Sequence, residues 1–230
     1  MTVPVLTIDG PSGSGKGTVA QRVAARLGWH YLDSGALYRV VGLVARERGI
    51  DLGDGPAVAR LAEGLDLHFE PQADGSPARV RVDGRDVSDA LRTEETGRLA
   101  SQVAVLPAVR RALLQKQHAF RQPPGLVTDG RDMGTTVFPG AVLKLFLTAD
   151  PAVRAERRYK QLKEKGLDVN LDNLLGEIRS RDDRDAARAT SPLKPAADAE
   201  LLDTSSLSID EVVGVIETRL QRKLAEGRSV

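Results

Sequence analysis

The chain predicts an α/β fold built on a parallel sheet with an antiparallel insertion, and three observations carry that expectation. Short apolar runs recur along its 230 residues, and stretches with helical spacing lie between them. One segment instead alternates polar and apolar residues at period two.

Taken in order, the first strand is expected in "VPVLTI", from Val3. The glycine-rich stretch "GPSGSGKGT" follows, and then a helix in "GTVAQRVAARLG". That helix puts Val19, Val23 and Leu27 on one side and stops at Gly28. "WHYLD", from Trp29, reads as a second strand. "GALYRVVGLVARERG" reads as a second helix ending at Gly49. Alternation then appears in "LDLHFEP" (Leu65 to Pro71) and "ARVRVDGRDVS" (Ala78 to Ser88), with Asp-Gly turn signals in "QADGS" and "VDGRDV". The helices "TEETGRLASQVA" and "PAVRRALLQKQHAF" complete a subdomain outside the parallel sheet, covering one edge of a site. Parallel strands resume in "GLVTD", "VLKLFL" and "ELLD", and "IDEVVGVIETRLQRKLA" supplies a long last helix.

Composition removes several classes of function. With 33 basic and 32 acidic residues the formal net charge is +1, so nothing calls for a nucleic acid or an anionic membrane. Aromatic residues make up only 3%, too few for base-stacking surfaces. The absence of cysteine excludes disulfides, thiolate metal sites and cysteine nucleophiles. His30, His68 and His118 are scattered. No apolar run approaches the ~20 residues of a membrane span, and the start lacks the pattern of a secretion signal. A cytoplasmic protein is expected.

Gly10, Gly15 and Lys16 fit G-x-x-x-x-G-K, the phosphate-cradling loop between a strand and a helix. Glycines let successive backbone N–H groups turn inward, the following helix aims its positive end at the anion, and the lysine reaches the outer phosphates. The usual next residue is Ser or Thr, a magnesium ligand; here Gly17 stands there and Thr18 comes one later. A dinucleotide G-x-G-x-x-G fails, because Thr18 occupies the third glycine position. The loop is expected to bind a nucleotide.

Such a loop does not separate a kinase from a switch or a sensor. The separating feature is a second set of polar residues in four further segments. These are Ser34 and Arg39 in "LDSGALYR", Ser101 and Arg110 in "SQVAVLPAVRR", Asp129, Arg131 and Asp132 in "DGRDMGT", and Arg181, Asp185 and Arg188 in "RSRDDRDAAR". The last three are spaced i, i+4, i+7, which predicts one helical face.

"GPSGSGKGT", "YLDSGALYR", "DGRDMGT" and "RDDRDAAR" followed by "SPL" resemble, in that order, the successive signatures of the bacterial cytidylate kinases, type 1. "LDSGALYR" with "DGRDMGT" is the specific part; the loop is shared with other nucleoside monophosphate kinases. The resemblance implies a three-layer P-loop kinase core (1–64 and 121–230), an α+β nucleoside-monophosphate-binding insertion (65–120) and a short helical lid (about 154–170). It implies a monomer transferring the γ-phosphate of ATP to CMP or dCMP with Mg2+.

By the same resemblance Gly10, Pro11, Ser12, Gly13, Ser14, Gly15, Lys16, Gly17 and Thr18 would hold ATP. Ser34, Ser101, Arg110, Asp132 and Arg188 would surround the cytosine end of the acceptor. Arg39, Arg131 and Arg181 would grip its phosphate, with Asp185 near the sugar. Thr18 and Asp129 would serve magnesium, partly through water, with Asp132 competing for that place. Arg154, Arg157 and Arg158 would be lid residues at the transferring phosphate. Lys16, Arg131, Asp132, Arg157 and Arg181 form the expected catalytic set. Cytosine's amino group is a donor, which a carboxylate complements and which uracil lacks.

Overall fold

The computed structural model describes residues 3–70, 78–164, 166–188 and 190–226. Strand β1 (Val5–Asp9) lies at the centre of a five-stranded parallel sheet, between β6 (Leu126–Gly130) and β7 (Leu143–Thr148). The outer strands are β2 (His30–Asp33), beside β6, and β8 (Glu200–Asp203), beside β7. Every residue of β1 and β6 is buried, as strands covered on both faces require. Leu6 and Ile8 face one apolar cluster with Leu143, Leu145 and Leu147, covered by α1 (Lys16–Leu27) and α8 (Ile209–Glu226). Val5, Leu32 and Leu126 join a second cluster with α2 (Ser34–Glu47), α3 (Gly55–Gly64), α4 (Glu94–Val103) and α5 (Pro107–Ala119). This is the expected three-layer arrangement. Strand direction brings Asp9, Asp33 and Asp129 to one edge, the carboxyl edge where open parallel sheets collect ligands.

A separate antiparallel sheet is made of β3 (Leu67–Glu70), β4 (Arg79–Val82) and β5 (Arg85–Asp86). The β4–β5 turn has positive φ at both Asp83 (48°) and Gly84 (79°), the hairpin geometry that the Asp-Gly pair predicts. The expected "QADGS" turn lies outside the described residues. Val80 and Val82 point inward and join the second cluster, so the small sheet is packed on the helices beside it.

Three local features depart from the sequence expectation. Helix α3 was not anticipated; Asp54 caps it by accepting from Ala57 N at 3.0 Å, with Pro56 in its first turn. A single π turn, Met133–Val137, follows β6, with Val137 N donating to Asp132 O at 3.2 Å. The basic region after β7 forms two helices, α6 (Pro151–Glu164) and α7 (Leu171–Ala186). Because α7 ends at Ala186, Arg188 lies beyond the helix and not on its face. No described helix is long and apolar enough to cross a membrane.

Close approach of α2 and α4 depends on Gly42. A Cβ there would sit 2.8 Å from Leu99 Cβ and 2.9 Å from its carbonyl carbon. Gly42→Ala is therefore expected to cost about 1–3 kcal/mol through overpacking, read from urea unfolding. A neutral or stabilising result would mean that the two helices separate freely.

Candidate active site

The β1–α1 loop carries the first half of the site. Gly10 has φ 154°, and a Cβ would lie 2.2 Å from Leu147 O, so no other residue fits. Gly15 caps α1 in a left-handed conformation without any side-chain acceptor, which leaves the helix's first N–H groups open to an anion. Lys16 folds back over the loop, donating to Pro11 O at 3.1 Å.

Ser12, Gly13, Lys16 and Gly17 line one wall of a cavity of about 620 Å³. The remaining wall comes from the four distant segments. Ser34 and Arg39, Ser101 and Arg110, Asp129, Arg131 and Asp132, and Arg181, Asp185 and Arg188 all reach the same cavity. Arg158 of α6 lines it too and pairs with Glu94 at 2.5 Å, joining the α6–α7 hairpin to α4. Gly10, Pro11, Ser14, Gly15 and Thr18 belong to the loop and helix but not to the cavity wall, and Thr18 is exposed.

Ion pairing divides the cations into two groups. Arg110 pairs with buried Asp132, donates to Ser191 Oγ at 2.8 Å and stands over the Tyr38 ring. Arg131 and Arg188 share Asp185, at 2.8 and 2.5 Å. Burial works against ionisation of Asp185, but Arg131 and Arg188 overcome it and hold its carboxyl below the usual range. Arg39 and Arg181 are different. Neither has a carboxylate partner among the described residues; Arg39 donates only to Leu91 O, and Arg181 Nε is buried without an acceptor. Their guanidinium groups converge beside Gly97 of α4, where a Cβ would lie 3.7 Å from Arg181 Nη1 and 3.9 Å from Arg39 Nη2. Burial, then repulsion from Arg131 and Arg39, lowers Arg181 to about 10, and burial lowers Arg39 as well. Two half-buried cations held together with no carboxylate in ion-pair contact among the described residues are a site prepared for an anion.

At the strand ends, burial and then Arg131 pull Lys16 down to about 7. Burial and then Asp33 push Asp129 well above the usual carboxylate range, while Tyr31 donates to its Oδ1 at 2.7 Å. Asp129 thus faces the lysine end of the loop and Asp132 faces Arg110. The two carboxylates occupy different halves of the site.

The expected lid arginines also separate. Arg157, expected at the transferring phosphate, instead donates to Thr204, and it is absent from the cavity wall, as is Arg154. Sequence reasoning missed Tyr31, Tyr38, Glu94 and Asp9. Burial pushes Asp9 up to about 6, although it accepts from Gly134 N and Met133 N at 2.8 and 2.9 Å. Its signal was an acidic residue closing an otherwise apolar strand. The others gave no local signal.

The profile of the family described as Cytidylate kinase matches residues 6–222. The chain belongs to the cytidylate kinase family. It is 60% identical over 209 residues to the cytidylate kinase of Azotobacter vinelandii, covering 91% of each chain. It is 58% identical over 224 residues to that of Stutzerimonas stutzeri, covering 97% of this chain and 95% of the relative. As a cytidylate kinase family member it is a phosphotransferase, and the expected family and enzyme class hold. Likeness to solved structures is at the level of fold. A gluconokinase of Sinorhizobium meliloti superposes with TM-score 0.50 at 16% identity, covering 98% of this chain and 95% of the other. An uncharacterised protein of Eubacterium ventriosum gives 0.51 at 11%, covering 95% and 98%.

Kinases of this kind imply magnesium, and the residues suit it. No group of three or more His, Asp or Glu that could hold an ion comes together among the described residues. Magnesium needs none when it arrives on phosphates and keeps several waters. A Cβ on Gly17 would come within 3.9 Å of both Asp129 carboxylate oxygens, so the bare glycine leaves that space open.

Proposed function

We propose that this chain transfers the γ-phosphate of ATP to CMP or dCMP, giving ADP and CDP or dCDP. The observation that carries the proposal is one cavity with two cationic walls: the loop with Lys16 on one, and on the other Arg39 and Arg181, which have no carboxylate partner among the described residues.

The obstacle to such a transfer is repulsion, since the acceptor oxygen is already anionic and needs no general base. One pair of unit charges at ~4 Å costs on the order of 4 kcal/mol at an effective dielectric of ~20. In this reading Gly10 to Thr18 hold the triphosphate, Lys16 follows the outer phosphates, and Arg39, Arg131 and Arg181 hold the acceptor phosphate. Asp129, which lines the cavity, would hold magnesium through water, and magnesium neutralises phosphate charge when bound; Thr18, exposed and off the cavity wall, would need the loop to move to take part. Asp132 accepts from the cytosine amino group, with Arg110, Ser34, Ser101 and Arg188 around the ring and Asp185 near the sugar. Residues 65–120 act as the acceptor-binding insertion, and 154–170 as a lid that excludes water. Arg158 is the lid arginine in reach of the moving phosphate.

A coupled assay with ATP, magnesium and each nucleoside monophosphate tests the reading; no ADP release with CMP or dCMP would overturn it. Asp132→Ala is expected to reduce the preference for CMP over UMP by about 1–3 kcal/mol, roughly 5- to 150-fold. An unchanged preference would remove Asp132 from the base.

A further inference from the structure

The α6 arginines that do not face the cavity hold the phosphate loop from behind. Arg154 is 3% exposed, and a buried guanidinium must find acceptors. Its Nε donates to Ala149 O at 3.0 Å. Its Nη1 donates to Ser12 O at 2.9 Å and to Asp182 Oδ1 at 3.1 Å, and its Nη2 donates to Asp182 Oδ2 at 2.5 Å. Arg157 works through a relay. Its Nη1 donates to Thr204 Oγ1 at 3.2 Å and its Nη2 to Thr204 O at 2.5 Å; the Thr204 hydroxyl is shared between Ser14 O at 3.2 Å and Thr148 O at 3.1 Å.

The two carbonyls so held flank Gly13, which has φ 77°. In a trans peptide the C=O and the following N–H point in opposite directions. Fixing Ser12 O therefore aims the N–H of Gly13, and fixing Ser14 O aims the N–H of Gly15. Arg154 Cβ also lies 3.1 Å from where a Gly13 side chain would begin, so the loop rests on this residue.

We propose that Arg154 and Arg157 are positioning residues for the donor loop: by drawing Ser12 O and Ser14 O outward they turn the amides of Gly13 and Gly15 toward the triphosphate. Neither lines the cavity. The inference rests on the reading above that the loop holds ATP, and it divides the three arginines of α6 between two tasks, with Arg158 alone at the reacting groups.

The test compares Arg154→Lys, Thr204→Val and Thr204→Ser with the unmodified chain, by steady-state kinetics and by equilibrium binding of ATP and of CMP. Arg154→Lys keeps the charge but not the forked donors, and Thr204→Val keeps the shape but not the hydroxyl. Both are expected to raise KM and Kd for ATP by up to about tenfold, the usual weight of one well-made hydrogen bond, with CMP values within about twofold. Thr204→Ser should restore ATP binding. Arg158→Ala should instead lower kcat with little change in Kd for ATP. Equal losses for ATP and CMP, or an unchanged Kd for ATP in both variants, would overturn the positioning role. A wild-type chain that binds ATP but leaves CMP unphosphorylated would sink the functional reading alone, since the ATP Kd values still decide the positioning role.

Discussion

Lys16→Met is expected to lower kcat about 10²–10³-fold, the scale on which one preorganised donor to developing phosphate charge contributes. The side chain is near methionine's length, so the loop keeps its fill while the charge is lost. A second signature follows from the environment of the amine. Burial and Arg131 pull Lys16 down to about 7 in the free protein, so above that pH the amine loses its proton. A bound polyphosphate favours the ammonium, and the proton must be taken up on binding. The sign is therefore fixed: ATP affinity falls as pH rises from 7 toward 9, by at most about tenfold per pH step. Calorimetry at pH 8 in two buffers of different ionisation enthalpy should detect proton uptake, and Lys16→Met should abolish it. Uptake unchanged in the variant would mean that another group titrates.

Arg181→Met is the second large expected effect, and it has two parts of opposite sign. Acceptor affinity should fall by about 2–4 kcal/mol, roughly 30- to 1000-fold, because a desolvated cation facing phosphate is removed. Stability should rise. Arg181 falls from 12.5 to about 10 through burial first and repulsion from Arg131 and Arg39 next, so folding pays to keep it charged. For a cation with a lowered folded-state pKa, that penalty is present at every pH below about 10 and disappears only as pH climbs past 12.5. Relieving it is expected to add on the order of 2 kcal/mol at neutral pH, read from urea unfolding without nucleotide. A loss of stability would show that Arg181 already has a counter-charge in the free protein. Saturating CMP should reverse the order, stabilising the unmodified chain and not the variant.

The parallel sheet, the α1 and α2 helices and the β4–β5 hairpin were legible because their signals are short-range. Buried strands are continuous apolar runs, Gly28 and Gly49 stop helices, and Asp83-Gly84 forces the hairpin turn. The π turn after Asp132 was not legible. Its second residue, Gly134, packs on Thr7 and Lys144, and its first amides bond to Asp9 from another strand, so it depends on partners far away in the chain. Helix α3 also carries a short-range signal, Asp54 as its cap and Pro56 in its first turn.

The phosphate loop follows from sequence alone, because backbone N–H groups in a contiguous glycine-rich turn before a helix make an anion site wherever that segment folds. The arginines are another matter. Arg39, Arg154, Arg157, Arg158 and Arg181 are chemically alike in the sequence, and each guanidinium takes its task from what it meets. Arg154 finds Asp182 and Ser12 O, Arg157 finds Thr204, and Arg158 finds Glu94. Arg39 and Arg181 find no carboxylate among the described residues. Only the tertiary structure decided which cations are spent on the fold and which are left for a substrate, because a charge is neutralised by its neighbours in space and not by those along the chain.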